Sequence, residues 1–270
     1  MSAQRDGFMG RSEITLAVGG MNYIGDLNNQ RAFSMPHLAY GVGLRSRLDN
    51  RWAMRLEANY GHVSCDHDYI ELRNLSFRSH IIEIAAMAEF NFRPFGPGAT
   101  ESSWTPYIFG GVGAFHFSPE AQFVDETGAA QWVALQPLYT EGQGTPEYLD
   151  RRPYSLTQIC MPFGVGFKWR MNKSFSLTAE YGFRKTWTDY LDDVSTTYVS
   201  SEVLLNIDGD GEMAAQMADR SGEVQEGYVN APGIKRGDDS LDDWYAYFRI
   251  SIGVSIETLL GWTRSKRCKL

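Results

Sequence analysis

The chain has 270 residues, enough for one large all-β domain or two small ones, with 27 glycines, 13% aromatic residues and a formal net charge of −8. A mean hydropathy of −0.33, and the lack of any uncharged apolar run of 18 residues, exclude a transmembrane helix, since even IIEIAAMAEF carries Glu83 and Glu89. A membrane β-barrel stays open.

The N terminus, MSAQRDGFMG, has no apolar core, so the chain is either cytoplasmic or begins at its mature end. Period-two alternation, the pattern of a strand with two unlike faces, then recurs eight times, near residues 12–20, 37–48, 52–63, 77–92, 105–117, 156–170, 174–187 and 244–257. In the third segment Trp52, Met54, Leu56, Ala58 and Tyr60 oppose Arg55, Glu57, Asn59 and Gly61. The fifth, PYIFGGVGAFHF, mixes aromatics and glycines on both faces and is ambiguous. In the sixth, Phe163, Val165, Phe167 and Trp169 oppose Gly164, Gly166, Lys168 and Arg170; in the seventh, Phe175, Leu177, Ala179, Tyr181 and Phe183 oppose Ser176, Thr178, Glu180, Gly182 and Arg184. The eighth sets Trp244, Ala246, Phe248, Ile250, Ile252 and Val254 against Tyr247, Arg249, Ser251 and Gly253.

The connections alternate between short (DNR, MNK and the moderate RPFGPGATESS) and long. Short turns on one rim and long loops on the other predict an all-β fold, an eight-stranded antiparallel up-and-down transmembrane β-barrel with long extracellular loops and short periplasmic turns. The expected organisation is a single domain over 1–270, with 118–155 and 188–243 as long extracellular loops and 258–270 as a basic periplasmic tail.

Alternation alone also fits a soluble barrel with an apolar inside. Two features favour the membrane. Gly41, Gly43, Gly61, Gly164, Gly166, Gly182 and Gly253 share the polar face, which suits a cramped lumen better than a solvent-exposed strand. Trp52, Tyr60, Trp104, Tyr107, Trp169, Trp187 and Trp244 sit near strand ends, where interfacial girdles belong. The lumen then receives Glu13, Arg45 and Lys168 together with Arg55, Glu57, Glu83, Glu89, Glu180, Arg184 and Arg249. Eight strands leave room only for side chains, so these charges should pair into a structural network rather than line a pore.

Residues 188–243 hold 14 Asp/Glu against 3 Lys/Arg, a charge of −11 that leaves +3 for the rest. The opposite end finishes ETLLGWTRSKRCKL, a basic tail that either docks on an acidic partner or is a solvated end. NIDGDGEMAAQM imitates a calcium loop with Asn206, Asp208, Asp210 and Gly211, but Met217 stands where a bidentate Glu belongs; a solvated acidic turn before a short helix is the favoured reading. HVSCDHDY gathers His62, Cys65, Asp66, His67 and Asp68 without the partners catalysis needs, and no GxSxG, HExxH or P-loop occurs. Cys65, Cys160 and Cys268 match no zinc spacing. No catalytic residue, metal or cofactor is expected, and no nucleic-acid partner. In TWTDYLDDVSTTY, the aspartates and hydroxyls are read as a clasp where the chain leaves a strand.

EITLAVGGMNYIGDLN, PYIFGGVGAFHFSP, LQPLYTEGQGTPEY, MPFGVGFKWRMN and, most specifically, RKTWTDYLDDVSTTY resemble the PorG-like outer-membrane barrels of the type IX secretion system and the related DUF6089 barrels of the Bacteroidota. The likeness runs from about residue 12 to 200 and through the last strand; the segment after 200 and the basic tail follow no matching motif. It implies a non-enzymatic component of the machinery that exports cargo with C-terminal sorting domains and supports gliding motility in some relatives. Its implied role is to tie a periplasmic ring of a PorK-like lipoprotein and PorN-like proteins to the outer membrane. On this reading Trp187, Asp189, Tyr190, Asp192, Asp193 and Tyr198 form an extracellular rim signature. Arg93, Phe95, Trp104, Trp262, Arg264, Lys266 and Arg267 are candidate periplasmic contacts. The chain would lie in the outer membrane among its lipids and other secretion components. The alternative is a surface adhesion or ligand-binding barrel acting through its long loops.

Overall fold

The computed structural model describes residues 11–28, 36–65, 72–96, 101–125, 127–207 and 209–267, without the side chains of 262–267. Nine strands form: β1 (Ser12–Ile24), β2 (His37–Arg47), β3 (Trp52–Cys65), β4 (Phe77–Asn91), β5 (Trp104–Val124), β6 (Ala130–Ala134), β7 (Thr157–Arg170), β8 (Phe175–Thr186) and β9 (Trp244–Ser255). Eight of them, all but β6, make a closed antiparallel barrel, each pairing with its neighbours in order, with β4 on β5 and β1 on β9 completing the circle. Closure leaves no strand edge unpaired around the wall.

The register turns the alternating sequence into two faces. Leu16, Leu56, Ile84, Val112, Ile159 and Val165 point outward and are each more than half exposed, between 54% and 70%, while Glu83 and Glu89 inside are 0% exposed. Such an apolar outside around a charged inside is stable only where hydrocarbon is the outer solvent. Glycines sit inside where a large neighbour needs the space: a Cβ on Gly166 would land 2.5–2.7 Å from ring atoms and the hydroxyl of Tyr107.

The short turns are built by side chains. Asp49 Oδ1 accepts the backbone N–H groups of Arg51 (2.6 Å) and Trp52 (2.7 Å) between β2 and β3, and Asn172 Oδ1 accepts those of Ser174 (2.7 Å) and Phe175 (3.0 Å) between β7 and β8.

The other end departs from the expected open loops. β5 runs to Val124, beyond its pairing with β4, and there pairs with β6 from Glu120↔Ala134 to Val124↔Ala130, so a hairpin arm replaces the first part of the 118–155 loop. The 188–243 segment contains two short helices, α1 (Ser201–Leu205) and α2 (Gly211–Ala218). Leu204, Ala214, Met217 and Ala218 from these helices pack with Val199 and with Ala121, Leu135 and Leu138 from the arm and the turn after it, forming an apolar cluster above the barrel. Beneath it, Leu191 and Val194 insert among Tyr23, Val63, Phe77, Phe115, Phe117 and Tyr245 and close the long-loop mouth. At the far end the tail is α3 (Ile256–Arg267), which begins directly after β9 rather than after residue 257.

Candidate functional site

The interior holds one connected ionic network. Arg45 pairs with Glu13 (2.7 Å) and Glu89 (3.1 Å), Lys168 with Glu89 (2.5 Å), and Arg55 with Glu89 (2.9 Å), Glu57 (3.0 Å) and Glu180. Arg249 pairs with Glu57 (2.6 Å) and Glu180, and Arg184 with Glu83 (3.0 Å) and, more distantly, Glu57 (3.7 Å). Asn59 Nδ2 bridges Glu57 (3.1 Å) and Glu83 (2.8 Å), and Tyr245 donates its hydroxyl to Glu83 at 2.6 Å. Charge balances: Arg45, Arg55, Lys168, Arg184 and Arg249 stand against Glu13, Glu57, Glu83, Glu89 and Glu180. A buried charge is tolerated when it is paired, and every member of this set, drawn from every wall strand except β5, has at least one partner of opposite charge.

Tyr107 is corrected by the structure. Expected in an interfacial girdle, it is 1% exposed inside the barrel, donates its hydroxyl to Glu180 and lies under the Lys168 ammonium at 4.1 Å. The glycine opposite it in register, Gly166, makes the inward turn sterically open. Tyr60, Trp52, Trp104 and Trp169 are exposed on the outer wall.

At the long-loop end the acidic segment is folded inward. Asp192 and Asp193 are 1% and 0% exposed, and Asp189 is 9% exposed. Asp192 Oδ2 and Asp243 Oδ1 lie 2.6 and 2.9 Å from the single Tyr23 hydroxyl, which donates its one hydrogen to one carboxylate and accepts from the other when that carboxyl is protonated. Asp193 accepts from Thr140 (2.5 Å) and Tyr154 (2.6 Å) while holding a left-handed φ of +67°, rare outside glycine and kept here by its surroundings. Burial raises all four carboxyls: Asp189 is pushed up to about 9, Asp192 to about 8 and Asp193 to about 6, and Asp243 lies well above its ordinary range with Asp192 and Asp189 adding to the effect. The Ser195 side chain opposes the rise at Asp189, yet neither Asp189 oxygen meets a donor at hydrogen-bonding geometry. Trp187 is half exposed beside the knot, Tyr190 stacks on Tyr154 at 4.6 Å, and Tyr198 is buried.

Two residues that the sequence reading does not single out hold this end together. Glu141 accepts the N–H groups of Ser195 (3.0 Å) and Thr196 (3.0 Å to Oε2) and pairs with Arg236 at 3.0 Å, both side chains buried. Arg236 also donates to Asp193 O (2.5 Å) and Ala218 O (3.1 Å), joining the acidic knot to α2. Glu141 lies in LQPLYTEGQGTPEY, one of the stretches that carry the family resemblance, whereas Arg236 lies in no such motif.

The remaining candidates separate. His62 stacks against His37 at 4.2 Å and Cys65 donates to Leu27 O at 3.3 Å; Asp66, His67 and Asp68 lie outside the described residues. Asp210 caps α2 by accepting the Met213 N–H at 3.1 Å, Asn206 donates to Glu202 O at 2.8 Å, Met217 is buried in the upper cluster, and Asp208 lies outside the described residues. Among the described residues no group of three or more His, Cys, Asp or Glu is arranged to hold a metal ion. At the short-turn rim the Arg93 guanidinium covers Trp104 at 4.0 Å, with Phe92 exposed beside it. Phe95 is only 7% exposed, its N–H donating to Asn50 O at 2.7 Å, so it braces two turns against each other instead of presenting its ring. Trp262, Arg264, Lys266 and Arg267 fall on α3, with side chains outside the described residues.

Residues 8–133 match the family described as Domain of unknown function (DUF6089). No curated protein matches the sequence. Among solved structures the chain is similar to Ail, the attachment invasion locus protein of Yersinia pestis, solved with the heparin analogue sucrose octasulfate (8% identity, 90% of this chain and 97% of that chain, TM-score 0.41). It is similar also to Neisserial surface protein A (11%, 90% and 96%, TM-score 0.43) and to a major outer membrane protein from Thermus thermophilus (13%, 90% and 98%, TM-score 0.41).

Proposed function

We propose that this chain is a non-enzymatic outer-membrane component of the type IX protein secretion machinery, and that its short-turn end holds a periplasmic assembly of PorK-like and PorN-like proteins. The observation that carries the reading is a filled barrel: a charge-matched interior network at mid-depth and an apolar, hydrogen-bonded cap at the long-loop mouth. A barrel whose lumen is filled by paired side chains among the described residues serves by what it presents at its rims. The short-turn rim offers Phe92, Arg93 and α3 to the periplasm, and the resemblance over TWTDYLDDVSTTY and the family match over 8–133 support the same assignment.

Replacing residues 92–96 and 171–174 with Gly/Ser turns in cells, while the barrel still migrates faster unheated than boiled, should release the periplasmic assembly from the outer membrane. Unchanged co-purification of PorK-like protein from native membranes would count decisively against anchoring.

A second reading, surface attachment through the long-loop end, is favoured by one feature. The β5–β6 arm displays Val124 and Trp132, 56% and 44% exposed, with Arg78 at 3.7 Å from the Trp132 ring. Loss of binding to a host surface on trimming residues 121–134 would support it over anchoring.

A further inference from the structure

We infer that the short-turn mouth of the barrel is a receptor for a carboxylate carried by a protein partner. That the partner is a periplasmic protein rests on the anchoring reading; the anion site rests on the geometry below.

The interior charges match one for one, but the mouth beneath them does not. Where the lumen opens between the β2–β3, β4–β5 and β7–β8 turns, a cavity of about 70 Å³ adds Arg11, Arg47, Arg170 and Lys173 to its lining. Arg11 and Arg170 are near enough to repel Arg47. Against these four, the described residues set Glu101, 4.0 Å from Arg47, and Glu13, which also acts on Arg47 but is shared with Arg45 at 2.7 Å. Arg11, Arg170 and Lys173 enter no ion pair among the described residues, so the mouth carries surplus positive charge.

The wall of this cavity also holds donors without acceptors. Arg45 spends Nε on Glu89 and Nη1 on Glu13, while its Nη2 meets no protein acceptor, although the residue is only 2% exposed. Asn91 Nδ2, on a residue 1% exposed, and Arg170 Nη1 are likewise unmet. Asn91 Oδ1 is already taken by the Lys168 ammonium at 3.1 Å, which fixes the amide with its NH₂ available. One guanidinium nitrogen each from Arg45 and Arg170 and the Asn91 amide line the same cavity, each offering hydrogen, so the complementary group is negative and accepts several hydrogen bonds at once.

Size and direction narrow the source. The cavity has room for a few waters or one small oxyanion, the size of a single carboxylate. Its lining runs from the lumen residues Arg45, Asn91 and Lys168 to the turn residues Gly96, Asn172 and Lys173, and includes none of the exposed apolar side chains of the outer wall. A lipid phosphate is tethered to chains lying along that wall and would have to climb over the turns, whereas an acidic side chain or a C-terminal carboxylate of a protein below the barrel enters directly. Buried Phe95 and Gly96 wall one side, holding the entrance in shape.

The test uses the full chain in detergent micelles, titrated calorimetrically with acetylated hexaglutamate, with hexaglutamine and with inorganic phosphate as competitor. Hexaglutamate should bind about tenfold or more tightly than hexaglutamine, phosphate should displace it, and added salt should weaken it. The double variant Arg170→Gln, Lys173→Gln should lose about tenfold or more of that affinity, while Lys185→Gln at the opposite rim changes nothing. Lys173 lies on an exposed turn, so Lys173→Glu alone serves if the double variant fails to fold. Equal binding of the two peptides, or an unaltered affinity in a folded Lys173→Glu variant, would overturn the inference. So would hexaglutamate failing to bind while phosphatidylglycerol nanodiscs give a Lys173-dependent response, which would assign the mouth to lipid. The two readings fail separately: if turn replacement in cells releases nothing while the purified chain still binds hexaglutamate, anchoring fails and the anion site stands.

Discussion

Arg236 Nη1 donates to Glu141 Oε1 at 3.0 Å, a buried ion pair between residues 95 positions apart that fastens one long loop to the other. Arg236→Ala leaves Glu141 charged, buried and short of its cation, at about 3–5 kcal/mol. The long-loop end should become sensitive to protease between residues 136 and 243, while the barrel wall keeps its unheated gel migration. Wild-type protease resistance in the variant would remove the clasp role.

The raised carboxyls make the cap sensitive to pH in a defined direction. Asp189, Asp192 and Asp193 sit at about 9, 8 and 6 when folded, against about 3.9 unfolded, so the folded cap binds more protons than the unfolded one. Their contribution is therefore fully present below pH about 4 and is lost progressively as pH rises toward about 9. Amide exchange over residues 188–243, corrected for its intrinsic pH dependence, should show opening becoming easier from pH 5 to pH 9. Asp192→Asn should flatten part of that slope; an identical slope in the variant would refute it.

Glu89 touches three cations, Arg45, Arg55 and Lys168, so Glu89→Ala strands more charge than any peripheral change. The expected loss is about 3–5 kcal/mol in urea unfolding from micelles. Glu83→Gln with Arg184→Gln removes both ends of a 3.0 Å pair and should be less damaging than the sum of the singles; strict additivity would show the two groups uncoupled.

The filled lumen predicts electrical silence. Purified chain in planar bilayers should give no large stable conductance, and a reproducible step abolished by boiling would require an open path through the network.

The outer wall predicts a depth-dependent penalty. Ile84 is 59% exposed at mid-strand, and Ile84→Arg should destabilise the barrel by about 2–4 kcal/mol in lipid. A soluble barrel would tolerate an outward arginine there, so a neutral result would contradict the membrane reading.

Much of the wall is legible residue by residue. Leu56 and Glu57, or Phe167 and Lys168, declare opposite faces because successive side chains on a strand must diverge, and the eight alternating segments coincide with the eight wall strands to within a few residues except at β5. Tyr107 escapes such a reading because an aromatic residue looks alike in a girdle and in a lumen; what decides is the gap left by Gly166 on the neighbouring strand. Arg236 and Glu141 escape it because their pairing joins two loops whose sequences carry no period.

The number of wall strands, their two faces and the alternation of short and long connections can all be read from the chain alone, since they follow from side-chain periodicity and turn chemistry within single segments. Three features emerge only in three dimensions: the long loops fold into a cap, each interior charge finds particular partners, and the short-turn mouth holds a surplus of cations. Each depends on which distant residues meet across a closed wall, and electrostatic pairing is a property of distance in space, not of position along the chain.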